Sequence, residues 1–181
     1  MSETTVLEAN TGSNSQASDI SEATIRIAGN SQDGIQSIGG FLARLAGRSE
    51  RDVMTMMTIP STIAGGPSIF QVRLGSGEVL SPGDKADVLF AFYQHSYDGH
   101  IKNLRKGGVM VYDSDHVEPR EECLTDYRHI GIAISSLTVE AIGGTGRDKG
   151  KNIYALGLIG RMFSLNTTKL ERLINERFSA K

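Results

Sequence analysis

A β-branched segment that leads through a glycine-rich turn into a helical pattern is the feature that most constrains this chain. In ATIRIAGNSQDGIQSIGGFLARLAG, residues 23–47, the run TIRIA is typical of a strand. Ile35, Ile38, Leu42 and Leu45 then recur at helical spacing and predict one apolar helix face. A strand that delivers a turn to a helix N-terminus is typical of α/β proteins that bind anions, because free backbone N–H groups point out of the helix start.

The remaining apolar runs predict a sheet with helices on both sides. Further strands are predicted over residues 52–59, 68–75, 87–93, 109–114 and 129–136. A helix is predicted over 96–108, stopped by the glycines 107 and 108, and helices follow from residue 152 to the end. Because strands and helices alternate, we predict a three-layer α/β/α domain with a Rossmann-like, mostly parallel sheet over residues 24–181. Residues 1–23 are rich in Ser, Thr, Asn and Glu and predict a disordered tail.

Composition excludes several classes of function. With 19 basic and 21 acidic residues the chain lacks the concentrated positive charge that nucleic-acid binding needs. The single cysteine, Cys123, excludes an internal disulfide or a cysteine-held iron–sulfur cluster in this chain and indicates a reducing cytoplasm. The N-terminus has no signal-peptide pattern. The apolar stretch 152–163 contains Arg161 and is shorter than the about 20 residues of a membrane span, so we predict a soluble protein.

The turn AGNSQDG is the first candidate site. Asn30, Ser31 and Gln32 offer short polar groups, and Gly34 lets the backbone turn and approach an anion. Asp33 suits a helix cap or an acceptor for a ligand hydroxyl or amide. The alternative is a tight turn with an N-cap and no ligand. The turn has neither G-x-G-x-x-G nor a P-loop ending, which disfavours ordinary dinucleotide and nucleoside triphosphate binding.

Two glycines and an arginine form the second candidate, in IPSTIAGGPSIFQVR. Gly65 and Gly66 remove side chains where another group must come close. Arg73 lies on a predicted strand among apolar neighbours, so its charge needs a fixed partner. That partner is either an Asp or Glu of this chain or a phosphate or carboxylate of a ligand.

The third candidate is the loop GGTGRDKGKN, residues 143–152. It places Arg147, Lys149 and Lys151 just before a predicted helix start, which suits a polyanionic ligand. A solvated mobile loop is the alternative.

Nothing in the sequence predicts a catalytic or a metal-binding group. The four histidines have no metal-ligand spacing and no cysteine partner nearby, and no nucleophile elbow is present. Those histidines are His95, His100, His116 and His129.

Several motifs together resemble one family. The chain is similar, over about residues 24–178, to the gamma domain of 2-oxoacid:ferredoxin oxidoreductases, and most of all to the form fused to the N-terminus of the alpha subunit in 2-oxoglutarate-type enzymes. The motifs stand in the order RIAGNSQDGIQSIGGFLARLAG, IPSTIAGGPSIFQVRL, KADVLFAFYQHSYDGHIKNLRKGGVMVYDS and KNIYALGLIGRMFSLN. A fused alpha subunit would continue past Lys181, so the resemblance implies either an excised domain, which we favour, or a separate subunit.

The resemblance implies a function in a larger enzyme. Such an enzyme decarboxylates a 2-oxoacid, here 2-oxoglutarate, on thiamine diphosphate, passes electrons through iron–sulfur clusters to ferredoxin, and releases an acyl-coenzyme A. In the family, thiamine diphosphate, Mg and the clusters belong to alpha and beta subunits or domains, so this chain alone is expected to be inactive. The gamma domain covers the active site and helps to bind coenzyme A. An alternative is an assembly module that docks those subunits without touching the ligand.

Ten residues match the family's coenzyme-A-facing positions and form the predicted site. The family often has glycine where Gln32 stands, and a side chain there narrows the approach or adds a hydrogen bond. The predicted site residues are Asn30, Ser31, Gln32, Asp33, Gly34, Gly65, Gly66, Arg73, Lys151 and Asn152.

Overall fold

A computed structural model describes residues 22–47, 51–58, 60, 65–142, 150–163 and 165–178, and in these ranges the chain forms one sheet flanked by helices. The strands are β1 (Glu22–Asn30), β2 (Asp52–Thr58), β3 (Pro67–Gly75), β4 (Ala86–Ala91), β5 (Leu104–Asp113) and β6 (Arg128–Ile132). The helices are α1 (Ile35–Gly47), α2 (Gln94–His100), α3 (Ile134–Ile142), α4 (Lys151–Met162) and α5 (Thr167–Phe178).

The sheet is mostly parallel, as predicted. Its strand order is β2-β3-β1-β4-β5-β6. Strands β1, β4, β5 and β6 pair in parallel, whereas β3 runs antiparallel to both β1 and β2. Because of this reversal, the start of β3 lies beside the carboxyl end of β1, with Pro67 opposite Asn30, and its end lies beside the start of β1, with Gly75 opposite Glu22.

Two apolar clusters, one on each face of the sheet, give the three layers. Alternating strand residues such as Ile27 and Phe90 pack against α1, α4 and α5 on one face. On the other face, residues such as Leu89 and Met110 pack against Tyr97 of α2. The three-layer α/β/α prediction is therefore confirmed.

The predicted helix over residues 96–108 is wrong in its second half. Helix α2 ends at His100, a short 3₁₀ turn follows over Ile101–Asn103, and β5 already begins at Leu104. Gly107 has φ +75° and lies in β5, close to a register shift between β4 and β5. The glycine pair therefore accommodates an irregular strand pairing and does not stop a helix.

The predicted strand over residues 129–136 is also too long. Strand β6 ends at Ile132, and α3 begins two residues later. Two carboxylates bind the first turn of α3, one at the end of β5 and one two residues beyond it. The Ser135 N–H lies 3.4 Å from Asp113 Oδ1, and the Ser136 N–H donates to Asp115 Oδ2 at 2.7 Å. These long-range hydrogen bonds cap the free backbone N–H groups at the start of α3, so the helix begins here.

The domain begins earlier than the sequence predicted. Strand β1 begins at Glu22, so residues 22 and 23, assigned to the tail from the sequence, belong to the sheet. The rest of the predicted tail and most of the basic loop, with Arg147 and Lys149, lie outside the described residues. Among the described helices, none has both the length and the apolar character that a membrane crossing requires.

Candidate functional site

The turn after β1 is held by hydrogen bonds at the carboxyl edge of the sheet. Its residues Ser31–Asp33 form one 3₁₀ turn. The Asp33 carboxylate accepts a hydrogen bond from the Asn30 N–H at 2.8 Å and another from the Tyr93 hydroxyl at 3.0 Å. Both Asp33 oxygens therefore serve the fold, and of its two predicted roles the structure shows the cap.

Gly34 connects this turn to α1 and leaves room for a neighbour. Its φ of +70° lies in the left-handed region that favours glycine. A Cβ atom added at Gly34 would lie 2.5 Å from Nδ2 of Asn152, so the amide of Asn152 sits directly over this glycine. Asn152 belongs to the first turn of α4. The structure thus brings the turn and Asn152 together, and their contact with a ligand stays a prediction.

The two glycines before β3 lie against the same turn. The Ser31 N–H donates to the Gly66 carbonyl at 3.0 Å. Gly65 has φ +76°, and a Cβ atom added there would lie 3.6 Å from Oε1 of Gln32. Because β3 starts beside the end of β1, these glycines reach residues 30–34 without a long connection.

Lys151 is buried, and its charge is used inside the protein. The residue is 1% exposed, and its Nζ lies 3.5 Å from Oδ2 of Asp113, which is itself fully buried. The ammonium also lies 5.0 Å from the centre of the Tyr93 ring, within reach of a cation–π interaction. The prediction of Lys151 as a basic residue presented to a ligand is therefore corrected: it anchors the start of α4 to the sheet edge, next to Asn152.

Arg73 lies away from the other predicted site residues. It pairs with Thr24 in the register of β1 and β3, six residues before Asn30, so about 20 Å of strand separates it from the turn. Its guanidinium binds the Glu22 carboxylate, with Nε at 2.8 Å, and the Ser81 hydroxyl at 2.9 Å. The structure thus shows the acidic-partner alternative for Arg73, and the grouping of Arg73 with the turn is corrected.

Sequence reasoning missed three side chains that complete this edge. Tyr93 follows β4 and holds Asp33, Asp113 ends β5, and the Ser135 hydroxyl donates to Asp113 Oδ2 at 2.6 Å. Each residue lies at or after the carboxyl end of a parallel strand or at a helix start, where α/β proteins place ligand-binding groups. The available signal was the strand ending itself, in DVLFAFY and VMVYDS.

Aromatic and imidazole rings lie beside this edge. Tyr93 stacks on His95 with ring centres 5.5 Å apart, and His116 lies at the same distance from Tyr93 in a tilted arrangement. Within the described ranges, no three His, Cys, Asp or Glu side chains are arranged to hold a metal ion. Besides these rings, this edge of the sheet has backbone N–H groups, neutral side-chain amides and a hydroxyl. Its glycines let another group come close to the backbone.

Comparison with known proteins places the chain in a family. The family described as pyruvate ferredoxin/flavodoxin oxidoreductase matches residues 24–181. The chain belongs to this family. The resemblance inferred from the motifs is thereby confirmed.

Relatives of this oxidoreductase family include much longer proteins. The 2-oxoglutarate oxidoreductase subunit KorA of Mycobacterium tuberculosis is 31% identical over 186 residues, which cover 90% of this chain and 28% of KorA. The chain thus spans less than a third of that relative.

Solved structures agree on the fold. The 2-oxoglutarate:ferredoxin oxidoreductase from Magnetococcus marinus is 28% identical, with a TM-score of 0.79 over 88% of this chain and 27% of that one. That structure has 2-oxoglutarate, coenzyme A and succinyl-CoA bound. The gamma subunit of a keto/oxoacid ferredoxin oxidoreductase from Geobacter sulfurreducens, at 23% identity, has a TM-score of 0.69 over 86% of this chain and 85% of that one. The latter likeness concerns the fold alone.

Proposed function

We propose that this chain is the gamma module, residues 24–181, of a 2-oxoacid:ferredoxin oxidoreductase and that it forms one wall of a coenzyme A site. The enzyme would convert a 2-oxoacid, 2-oxoglutarate in our proposal, to an acyl-coenzyme A and pass electrons to ferredoxin. The observation that carries the proposal is the convergence of residues 30–34, Gly65–Gly66 and Asn152 at one edge of the sheet.

The chemistry of this edge suits a phosphate-bearing ligand. The N-terminus of α1 follows Gly34 directly, and helix starts present backbone N–H groups and positive dipole ends to anions. Gly65 and Gly66 let the backbone come close to a pyrophosphate, while Ser31 and Asn152 supply neutral hydrogen-bonding groups. In this proposal Lys151 positions α4 through Asp113 and has no direct contact with coenzyme A.

Relatives support the choice of ligand and substrate. The solved relative from Magnetococcus marinus holds both coenzyme A and 2-oxoglutarate, and KorA is named for 2-oxoglutarate as well. We therefore extend coenzyme A binding, and the closing of an active site around it, to this chain.

An iron–sulfur cluster does not fit this chain's own residues. A four-cysteine iron–sulfur cluster needs more than the single cysteine of the sequence. Thiamine diphosphate supplies the carbanion stabilisation that decarboxylation requires. We propose that it, its Mg and the clusters are held by alpha and beta partners in the cytoplasm, and that this chain by itself has no turnover.

Calorimetric titration of the assembled enzyme with coenzyme A tests the proposal. Asn152→Ala removes the amide over Gly34, and loss of one hydrogen bond predicts an affinity about 3- to 10-fold weaker. Arg73→Ala is the matched control, since Arg73 lies at the opposite end of β3, and it should leave the affinity unchanged. Equal affinities for wild type and Asn152→Ala would contradict the site.

The assembly alternative is favoured by one surface. An apolar groove of about 640 Å³ runs between α3 and α4, and Ile142 at its rim is 60% exposed. Gly157 in this groove has open space where a Cβ would be, so a partner's backbone has room to approach. If docking were the whole function, Gly157→Leu would prevent assembly while Asn152→Ala would leave coenzyme A binding intact.

A further inference from the structure

Arg26 is a buried cation that has no carboxylate partner in the described part of the chain. It lies in the middle of β1 on the face of the sheet that carries α2, and it is 5% exposed. Its Nε donates to Oε1 of Gln71 at 2.7 Å, and this is the only hydrogen bond of its side chain among the described residues. No Asp or Glu of the described chain forms an ion pair with it. A guanidinium keeps its proton at all ordinary pH values, so burying it without a counter-charge is costly.

The Gln71 amide holds the guanidinium in one orientation. Gln71 is fully buried, and its Nε2 donates to the carbonyls of Pro82 and Gly83 at 2.6 and 2.7 Å. Because Nε2 is committed to these carbonyls, Oε1 faces Arg26 and occupies its Nε. The two terminal amino groups of Arg26 are left without partners in the described structure, and neither is fully buried. The guanidinium is therefore held in one orientation, and its terminal amino groups keep a small accessible area.

Arg73, unlike Arg26, has a carboxylate partner. It lies on the neighbouring strand β3, two residues after Gln71, and has the Glu22 carboxylate and Ser81 as partners. Glu22 binds the guanidinium of Arg73 through both Nε and a terminal amino group. The same chain thus contains one arginine with its carboxylate and one without, although the unpaired one is the more buried.

A second buried polar atom lies in this neighbourhood. Nδ1 of His100, at the end of α2, is buried and has no hydrogen-bond partner in the described part of the chain. The pKa of His100 is lowered by burial and by the charges of Arg26 and His95. Burial also lowers the pKa of Arg26. An anion at this position would offset the positive charge of Arg26 and give its terminal amino groups an acceptor.

We propose that Arg26 is a carboxylate-binding site, separate from the proposed coenzyme A site, in which the two terminal amino groups take both oxygens of one carboxylate. A fork of two parallel N–H groups matches the two oxygens of a carboxylate, and such pairs are among the stronger hydrogen bonds in proteins. Either a small dissolved acid or an Asp or Glu side chain of an associating subunit supplies this group. The site does not depend on the coenzyme A proposal.

The side-chain Nε–H resonances of the 181-residue protein give a direct test. Sodium acetate is titrated against sodium chloride at constant ionic strength, with inorganic phosphate in a parallel series. We expect a saturable shift of the Arg26 resonance with acetate and none for the Arg73 resonance. An unmoved Arg26 resonance, an equal movement of both, or a response to phosphate alone would overturn the proposal.

Variants separate the site from general salt effects. Acetate should raise the pKa of His100 in wild type and in Arg73→Met, because a bound carboxylate offsets the Arg26 charge. The same rise should be absent in Arg26→Met, and its persistence there would overturn the proposal. The His100 resonance also reports whether the variant is folded.

A second titration, with 2-oxoglutarate, distinguishes a dissolved acid from a side chain of another subunit as the source of the carboxylate. Affinity at least 10-fold above that of acetate supports a dissolved acid. Equal, weak affinities support a side chain of another subunit, and then Arg26→Met should weaken the association of this chain with the other subunits at least 10-fold. If the two acids bind equally and Arg26→Met associates normally, the carboxylate role is overturned.

Discussion

At the scale of single residues, the candidate site depends on how Gly34 and Asn152 fit together. The glycine supplies both a positive φ and the space into which the Asn152 amide fits. From the sequence, Gly34 was predictable as a turn residue. Its second role was not, because Asn152 is 118 positions away along the chain and meets it only through the packing of α4.

Alanine substitutions at Gly34 and, as a control, at Gly107 separate the cost of a positive φ from the cost of the contact with Asn152. Gly107 has φ +75°, and a Cβ there meets nothing within 4 Å, so Gly107→Ala should cost only the backbone strain, about 1–2 kcal/mol. Gly34→Ala adds a clash with Asn152 and should lower the free energy of unfolding by about 1 kcal/mol or more beyond that. Urea denaturation of both variants measures the difference. Equal losses would show that Asn152 moves away without cost.

The ion pair between Asp113 and Lys151 makes a second residue-scale prediction. Asp113→Asn removes the carboxylate charge 3.5 Å from the buried Nζ of Lys151, which should cost about 3–5 kcal/mol of stability. Asp115→Asn is the control, because Asp115 is exposed and bonds Ser136 rather than a cation. A chemical denaturation series on both variants gives the values, and a loss at Asp113 no larger than at Asp115 would argue against a stabilising pair.

At the scale of elements, local sequence predicted the strands better than the segments between them. Strands β1, β3 and β4 have alternating or continuous apolar runs whose meaning is local. The start of α3 depends instead on carboxylates more than 20 positions earlier, and the end of α2 depends on where β5 pairs with β4. No window of neighbouring residues contains that information.

The contact of α1 with β3 predicts opposite results at two adjacent glycines. A Cβ atom added at Gly39 would lie 2.0 Å from Cδ1 of Phe70, whereas one at Gly40 meets nothing within 4 Å. Gly39→Ala should therefore destabilise the protein by about 2 kcal/mol or more. Gly40→Ala should be neutral or stabilise it by up to about 1 kcal/mol, because alanine favours helices. Thermal unfolding of the two variants measures both effects, and a stable Gly39→Ala would contradict the close packing.

The buried end of α2 predicts a pH dependence of stability. Burial, Arg26 and His95 lower the pKa of His100 from its usual 6.5 in the folded protein. The unfolded chain therefore takes up a proton at His100 more readily, so this contribution to stability is complete above pH 6.5 and is lost as the pH falls below it. Urea unfolding between pH 5 and 8 should show a smaller acid loss in His100→Gln than in wild type. An unchanged slope would contradict the burial of a neutral imidazole.

At the scale of the whole molecule, the direction of β3 decides which predicted site residues meet. The reversed strand brings Gly65–Gly66 to residues 30–34 and carries Arg73 to the opposite end of the sheet. The sequence motifs alone placed all ten residues in one site. In the structure nine of them lie at one edge of the sheet, with Lys151 buried beneath it. Arg73 lies apart from them, because strand direction is a property of the assembled sheet and cannot be read from a motif.

Hydrogen exchange of the assembled enzyme with and without coenzyme A tests the central claim most directly. We expect coenzyme A to slow exchange in the backbone of residues 30–36, 65–66 and 150–154, with no change around Arg73 at the far end of β3. Protection that is absent from these three segments, or that centres on Arg73, would contradict a coenzyme A site at the carboxyl edge of β1.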